Sequence, residues 1–390
     1  MKIFKVLLIV AIAFGMMACN NEQDVPEISG EKDASISIKV FPSSNGPTVR
    51  ATGDLSVGDA DGVIAAESAI KKLEVWVFAG NNLEEYKSAT IADGATPEVR
   101  DIEVTSGPRT IVVVANASLG TQATLTGLKA LTKNLTQDVS NGLAMTAEPI
   151  DVTLVKGNNY YGYSGTTSYG ENFLAQTPLA LTRVNARVAI VAADIQLATL
   201  SEGEVHVFDR LKEVQVAMFN VPKVTNLFGA PLAINGDYLF GFAWPSPLGT
   251  YTVGNEESSL LDETITFPIT NAPYYYVNEN TAENANEQMF IVLRGKPYMG
   301  DETHVNQYQG LYTDADGYTY YPVWVNATKE GYSYTGTNTG DSKIRRNTQY
   351  NISLTITGIG RPTIDEPETA LLDVKVEVAP WAVIAQDVTW

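Results

Sequence analysis

Cysteine is nearly missing from this 390-residue chain: there is one, Cys19, and it lies within the first twenty residues. A single thiol excludes a disulfide framework, and its position leaves the body of the chain without thiol catalysis or a cysteine-based zinc site. Histidine is almost as scarce. His206 and His304 are far apart and share no metal-ligand spacing. The glycine-rich signatures of phosphate-binding and dinucleotide-binding loops and the G-x-S-x-G turn are absent as well. Positive charge is in short supply too. Against 45 acidic residues stand 26 basic ones, a net charge of −19, which argues against nucleic acid and anionic lipid surfaces as partners. The excess belongs to the body, because residues 1–50 hold five charges of each sign.

Catalytic constellations are equally thin. Asp314-Ala315-Asp316-Gly317 begins like a calcium loop, but the closing glutamate is missing, and a hairpin turn between aromatic-rich strands accounts for it better. The many carboxylates place no acid–base pair. The expectation is a protein that is not an enzyme and holds no cofactor or metal.

The N-terminus describes a route of export. Lys2 and Lys5 precede the apolar run Val6–Phe14, which is shorter than the roughly 20 residues a bilayer span needs. Met16-Met17-Ala18-Cys19 follows and resembles a bacterial lipobox, so residues 1–19 read as a lipoprotein signal peptide with Cys19 the acylated residue. The partner of that thioether is outer-membrane lipid. Residues 20–33 are polar and aperiodic, a tether.

What the chain has in quantity is strand pattern: Tyr, Val and Thr in period-two runs broken by Gly, Asn and Pro. Its length exceeds what single cores usually reach, so two domains are expected. Strands are predicted at 34–41, 70–78, 111–115 and 150–155, with 111–115 buried on both faces. A helix packed outside the sheet is predicted over 125–143. Gly157–Gly170 reads as a loop whose Tyr160, Tyr161, Tyr163 and Tyr169 are packed rings in preference to a sugar site. Residues 179–197 read as one long strand carrying Arg183 and Arg187. Further strands are expected at 211–219, 288–294, 319–325 and 346–359, and an acidic linker at 361–369. The fold class is mainly β, two β-sandwich domains with a few short helices. The first spans 51–177 and the second 178–390.

The two ends of the chain carry the functional argument. In 34–41 Ile36, Ile38 and Val40 share one face. Arg50 follows in a polar, turn-rich segment, where trypsin-like proteases cut most readily. A cut between Arg50 and Ala51 frees that first strand from the body, making 20–50 a propeptide with a removable strand. At the other end Val374, Val376 and Val378 alternate with charges, Pro380 breaks the run, and a second run carries Val383, Val388 and Trp390. Residues 371–390 therefore read as two strand runs whose partner is either the chain's own body or another molecule; as donor strands they would fill a groove that exposes apolar floor and unpaired backbone. Burying five such side chains yields about 8–15 kcal/mol gross. Ordering the strand costs about 1–2 kcal/mol per residue, so ladder hydrogen bonds must tip the balance. A head-to-tail contact of this kind does not close, and its product is a filament.

Cys19, Thr48-Val49-Arg50-Ala51-Thr52, Leu181-Thr182-Arg183-Val184-Asn185-Ala186-Arg187-Val188, Arg346-Asn347 with Tyr350-Asn351-Ile352, and the ending Val374–Trp390 occur in this order over the whole chain. In this the chain resembles the FimA-type major fimbrial subunits of Bacteroides-like bacteria, the fimbrillins of type V pili. Met16 departs from the leucine usual in the lipobox. The resemblance implies two sandwiches of transthyretin-like topology, export to the cell outer membrane as a lipoprotein precursor, and cleavage by an Arg-specific outer-membrane protease. It further implies assembly with other copies and related fimbrial subunits into an extracellular fimbrium that supports adhesion to a host or bacterial surface receptor and biofilm formation. The alternative is a tip or anchor subunit, or a surface glycan-binding lipoprotein of the same fold.

Overall fold

In the computed structural model, the described residues are 30–43, 65–197, 207–232, 237–241, 255–257, 259–265, 267, 269, 272–300, 302–303, 310–329, 331–334, 339–364 and 372–380. Cys19, Arg50, Ala51, Val383, Val388, Trp390 and both histidines lie outside them.

The first domain is built from β1 (Ala34–Pro42), β2 (Lys72–Ala79), β3 (Asn82–Thr90), β4 (Glu98–Val104) and β5 (Gly107–Ala115). Shorter strands complete it: β6 (Thr132–Asn134), β7 (Met145–Thr146), β8 (Ile150–Leu154), β9 (Gly157–Tyr161), β10 (Glu171–Ala175) and β11 (Leu179–Arg183). One layer runs β4-β1-β9-β10, and the other places β7, β5, β2 and β3 side by side with β11 at one end. Between them Ile36, Ile38, Val75, Val77, Val99, Ile102, Ile111, Val113 and Leu181 form one core. The outer face of the second layer is apolar as well. Trp76, Phe78, Val112 and Val114 are covered there by Leu128 of the short helix α2 (Leu125–Lys129) and by Leu227 and Phe228 of the second domain. This double burial is what the unbroken run Ile111–Ala115 signals.

The second domain has a sheet of β12 (Ala186–Ile195), β14 (Tyr274–Val277), β17 (Tyr332–Tyr334), β18 (Thr348–Ile356) and β19 (Leu372–Pro380), in the order β14-β12-β18-β19-β17. A facing sheet is centred on β13 (Arg210–Phe219), β15 (Phe290–Met299) and β16 (Thr319–Trp324). Val188, Ile190, Val216, Met218, Ile291, Leu293, Tyr350, Ile352 and Leu354 fill the space between.

Three expectations are corrected. The helix at 125–143 shrinks to α2, because Leu131 onward turns into β6, which pairs across the domain junction with Val224–Asn226. The loop at 157–170 opens with a strand, β9, that runs parallel to β1. The long strand 179–197 is two: β11 pairs with β1 and β7 in the first sandwich, and β12 with β14 and β18 in the second. Sheet membership therefore puts the junction at Val184–Asn185 and not before Pro178. At the Asp314 turn the carboxylate accepts from the N–H groups of Asp316 and Tyr318 and from the Tyr320 hydroxyl.

Candidate functional site: the seat of the first strand

β1 is an interior strand shared by both layers of the first sandwich. Ala34–Lys39 pairs antiparallel with β4, Ala34–Ile38 pairs parallel with β9, and Val40–Pro42 then crosses to pair parallel with β11. Ile36 and Ile38 are fully buried and Val40 nearly so. Those three side chains contribute about 5–9 kcal/mol of gross apolar burial. Taking β1 away would leave backbone edges on β4, β9 and β11 and an apolar floor beneath them.

Each end of β1 is fastened separately. At the start, the Asp33 carboxylate accepts from the Ser106 N–H at 2.7 Å and the Ser106 hydroxyl at 3.1 Å, and Lys156 lies 3.2 Å away. The Ser106 N–H, helped by Lys156, holds that carboxyl below its usual range. Along the strand, the Lys39 ammonium lies 4.5 Å from the Tyr163 ring centre, and the Tyr163 hydroxyl donates to Glu98 at 2.7 Å. Burial and that glutamate push the Tyr163 phenol upward. Gly162 has φ +85, and a Cβ there would meet Pro178 Cα at 2.7 Å, so only glycine lets the chain pass this close to Lys39.

At the exit, β1 meets the domain junction. The Ser43 N–H donates to the Leu181 carbonyl, and the Ser43 carbonyl accepts from the Arg183 guanidinium at 3.2 Å and from the Asn347 amide at 3.4 Å. Arg183 also donates to the Glu67 carbonyl, the Ser68 hydroxyl and the Asn347 side-chain oxygen. Glu67 sits on the helical turn α1 (Ala65–Ser68); its carboxylate takes Arg187 at 2.6 Å and the Tyr276 hydroxyl at 2.9 Å. Both partners of that ion pair are wholly buried. Burial pushes Arg183 down to about 10. A cation so enclosed survives only because its donors are answered by acceptors. Asn347 immediately precedes β18, so one polar network joins the end of β1 to the strand that carries β19. Gln137 adds a second cross-domain clamp, exchanging two hydrogen bonds with the backbone of Tyr276.

The C-terminal residues are placed differently from expectation. Val374 and Val376, expected to serve a neighbour, are buried in this chain's own core. β19 pairs with β18 from Leu372 to Pro380, Val378 standing opposite Tyr350. The physical reason is that β18 would otherwise end as an apolar edge, and the alternation that suits a foreign groove suits this one. Arg183 and Arg187 were singled out as charges in an apolar run and Asn347 as part of the Arg346-Asn347 motif; Glu67 and Ser43, which answer the two arginines, were not. The one signal for Glu67 is compositional, a carboxylate in a short Ala/Ser segment.

The chain is made of two β-sandwiches, and its first strand is an interior one that the rest of its sheet brackets. The comparisons carry this to a family. The family model for "Major fimbrial subunit protein (FimA)" matches residues 34–183, and that for the "FimA4 pilin C-terminal domain" matches 185–381. The chain is 37% identical to a major fimbrium subunit FimA type-2 of Porphyromonas gingivalis and 33% identical to a FimA type-4 of the same organism, each over the full length of both chains. A crystal structure of a fimbrilin from P. gingivalis superposes with a TM-score of 0.75 at 30% identity, covering 91% of this chain and 99% of that one. A putative cell adhesion protein of Parabacteroides distasonis shares the fold, with TM-score 0.66 at 22% identity over 90% and 98% of the two chains. The chain belongs to the FimA family of major fimbrial subunits. It is a structural subunit of an extracellular fimbrium at the cell surface, not an enzyme.

Proposed function

We propose that this chain is a shaft subunit that polymerises by strand exchange after β1 has been removed. It travels as a lipoprotein acylated on Cys19, and an Arg-specific protease at the outer membrane cuts between Arg50 and Ala51. β1 then leaves, and the C-terminal segment of another copy occupies its seat, giving a filament that supports adhesion and biofilm formation. The observation that carries this reading is the placement of β1: a strand with three ladder partners and three core side chains is joined in sequence to the body through residues 44–64, which contain Arg50. Because Val374 and Val376 already complete their own domain, the reading assigns donation to the residues beyond Pro380, Val383, Val388 and Trp390 among them, with β19 as the root of the arm.

Electron microscopy of the purified chain before and after digestion with an arginine-specific protease tests it, with Arg50→Ala as control. Filaments are expected only from the cut wild-type chain. Filaments of normal length from Arg50→Ala would overturn it. N-terminal sequencing of cell-surface material adds a check: a start at Ala51 supports a shaft, and an acylated start at Cys19 supports an anchor.

A further inference from the structure

β4 opposes β1 residue for residue except at one place. Ile36 faces Ile102 and Ile38 faces Val99, so Ser37 stands against both Arg100 and Asp101. The extra residue is a β-bulge, and Asp101 adopts a left-handed φ of 52° to form it. The Asp101 N–H donates to the Ser37 hydroxyl at 3.1 Å. Both carbonyls of the bulge accept from the Lys87 ammonium on β3, at 2.7 and 2.9 Å. The bulge is therefore held from the body of the sandwich as well as from β1. Ser37 lies on the strand face opposite Ile36 and Ile38, yet it is only 3% exposed. An apolar side chain in its place would leave the Asp101 N–H without a partner, and a long charged one would have to be buried.

We propose that this bulge is a specificity subsite: the seat of β1 selects a strand with serine or threonine between two apolar residues, and Thr389 of a second copy is that residue. The inference rests on the strand-exchange reading above. Between Leu371 and Trp390 Thr389 is the only hydroxyl residue, and Val388 and Trp390 flank it as Ile36 and Ile38 flank Ser37. β19 offers Lys375 or Glu377 at the corresponding place, each a charge in a buried position. The subsite thus discriminates between the two C-terminal runs and favours the second.

The test compares peptides of residues 382–390, wild type, Thr389→Val and Thr389→Ser, as inhibitors of polymerisation of the full-length chain cut after Arg50. The wild-type and serine peptides are expected to inhibit at similar concentrations, and the valine peptide to require about five to ten times more, the factor expected for one net hydrogen bond. Hydrogen exchange at the Asp101 amide supplies the direct readout, slow in the uncut chain and with the wild-type peptide, fast with the valine peptide. Equal inhibition by the valine peptide with an equally protected Asp101 amide overturns the subsite while leaving strand exchange standing. A cut wild-type chain that forms no polymer overturns strand exchange itself, and the subsite with it.

Discussion

Arg183 is a guanidinium cut off from water whose hydrogen bonds reach the exit of β1, the α1 turn and the start of β18. Replacing it with methionine keeps much of the volume but takes a donor from the Ser43 and Glu67 carbonyls, the Ser68 hydroxyl and the Asn347 side-chain oxygen. Arg183→Met is expected to destabilise the uncut chain by about 3–5 kcal/mol, read by chemical denaturation; a midpoint unchanged from wild type would show that the junction does not depend on it. Asp33 acts at the other end of β1 in a different way. Its folded pKa is depressed, so its contribution is present above the ordinary carboxylate value of about 3.9 and is lost as pH falls through the lower folded value. The melting temperature of Asp33→Asn should therefore lie below wild type at pH 5–7, and the two should converge once the pH has fallen below the depressed folded value. A difference that persists unchanged in acid would assign the effect to something other than the carboxylate. Arg183 and Arg187 were legible as charges in an apolar run. Their partners come from positions 43, 67 and 347, and no local pattern brings those together.

At the scale of elements, the strands that were read correctly bury one face or both, as Ile36-Ile38-Val40 and Ile111–Ala115 do. β4 escaped notice for a physical reason: the bulge at Arg100–Asp101 inserts a polar residue and breaks the period of two between Val99 and Ile102. β3 escaped because it is an edge strand with mostly polar, partly exposed residues. The helix expected at 125–143 had leucines at mixed spacing, which a chain crossing two packed domains produces equally well. β19 runs as far as Pro380, which pairs with Thr348, and the residues after it lie outside the described ones. β19 itself yields an asymmetric expectation. Deleting 381–390 should leave both domains folded, whereas deleting 372–390 uncovers the partners of Val374 and Val376 and should cost roughly 3–6 kcal/mol from those two side chains alone. Circular dichroism and denaturant melts of the two truncations check this. Unfolding of the second domain on the shorter deletion would mean that the final ten residues complete their own chain.

For the whole molecule, the account joins a removable interior strand, a polar network at its exit and a C-terminal arm rooted in the neighbouring domain. Two sandwiches and their order along the chain were legible from strand pattern and length. The position of β1 inside both layers was not, because parallel pairing with β9 and β11 depends on segments more than a hundred residues away. The central claim is that cutting vacates this seat and a second copy refills it. Hydrogen exchange followed by mass spectrometry, resolved to β4, β9 and β11, measures it most directly in three samples: uncut chain, freshly cut monomer and polymer. The account predicts slow exchange in the uncut chain, fast exchange in the cut monomer and slow exchange again in the polymer. Amides of β4 and β9 that stay protected in a cut monomer would show that β1 remains in place, and would contradict the account.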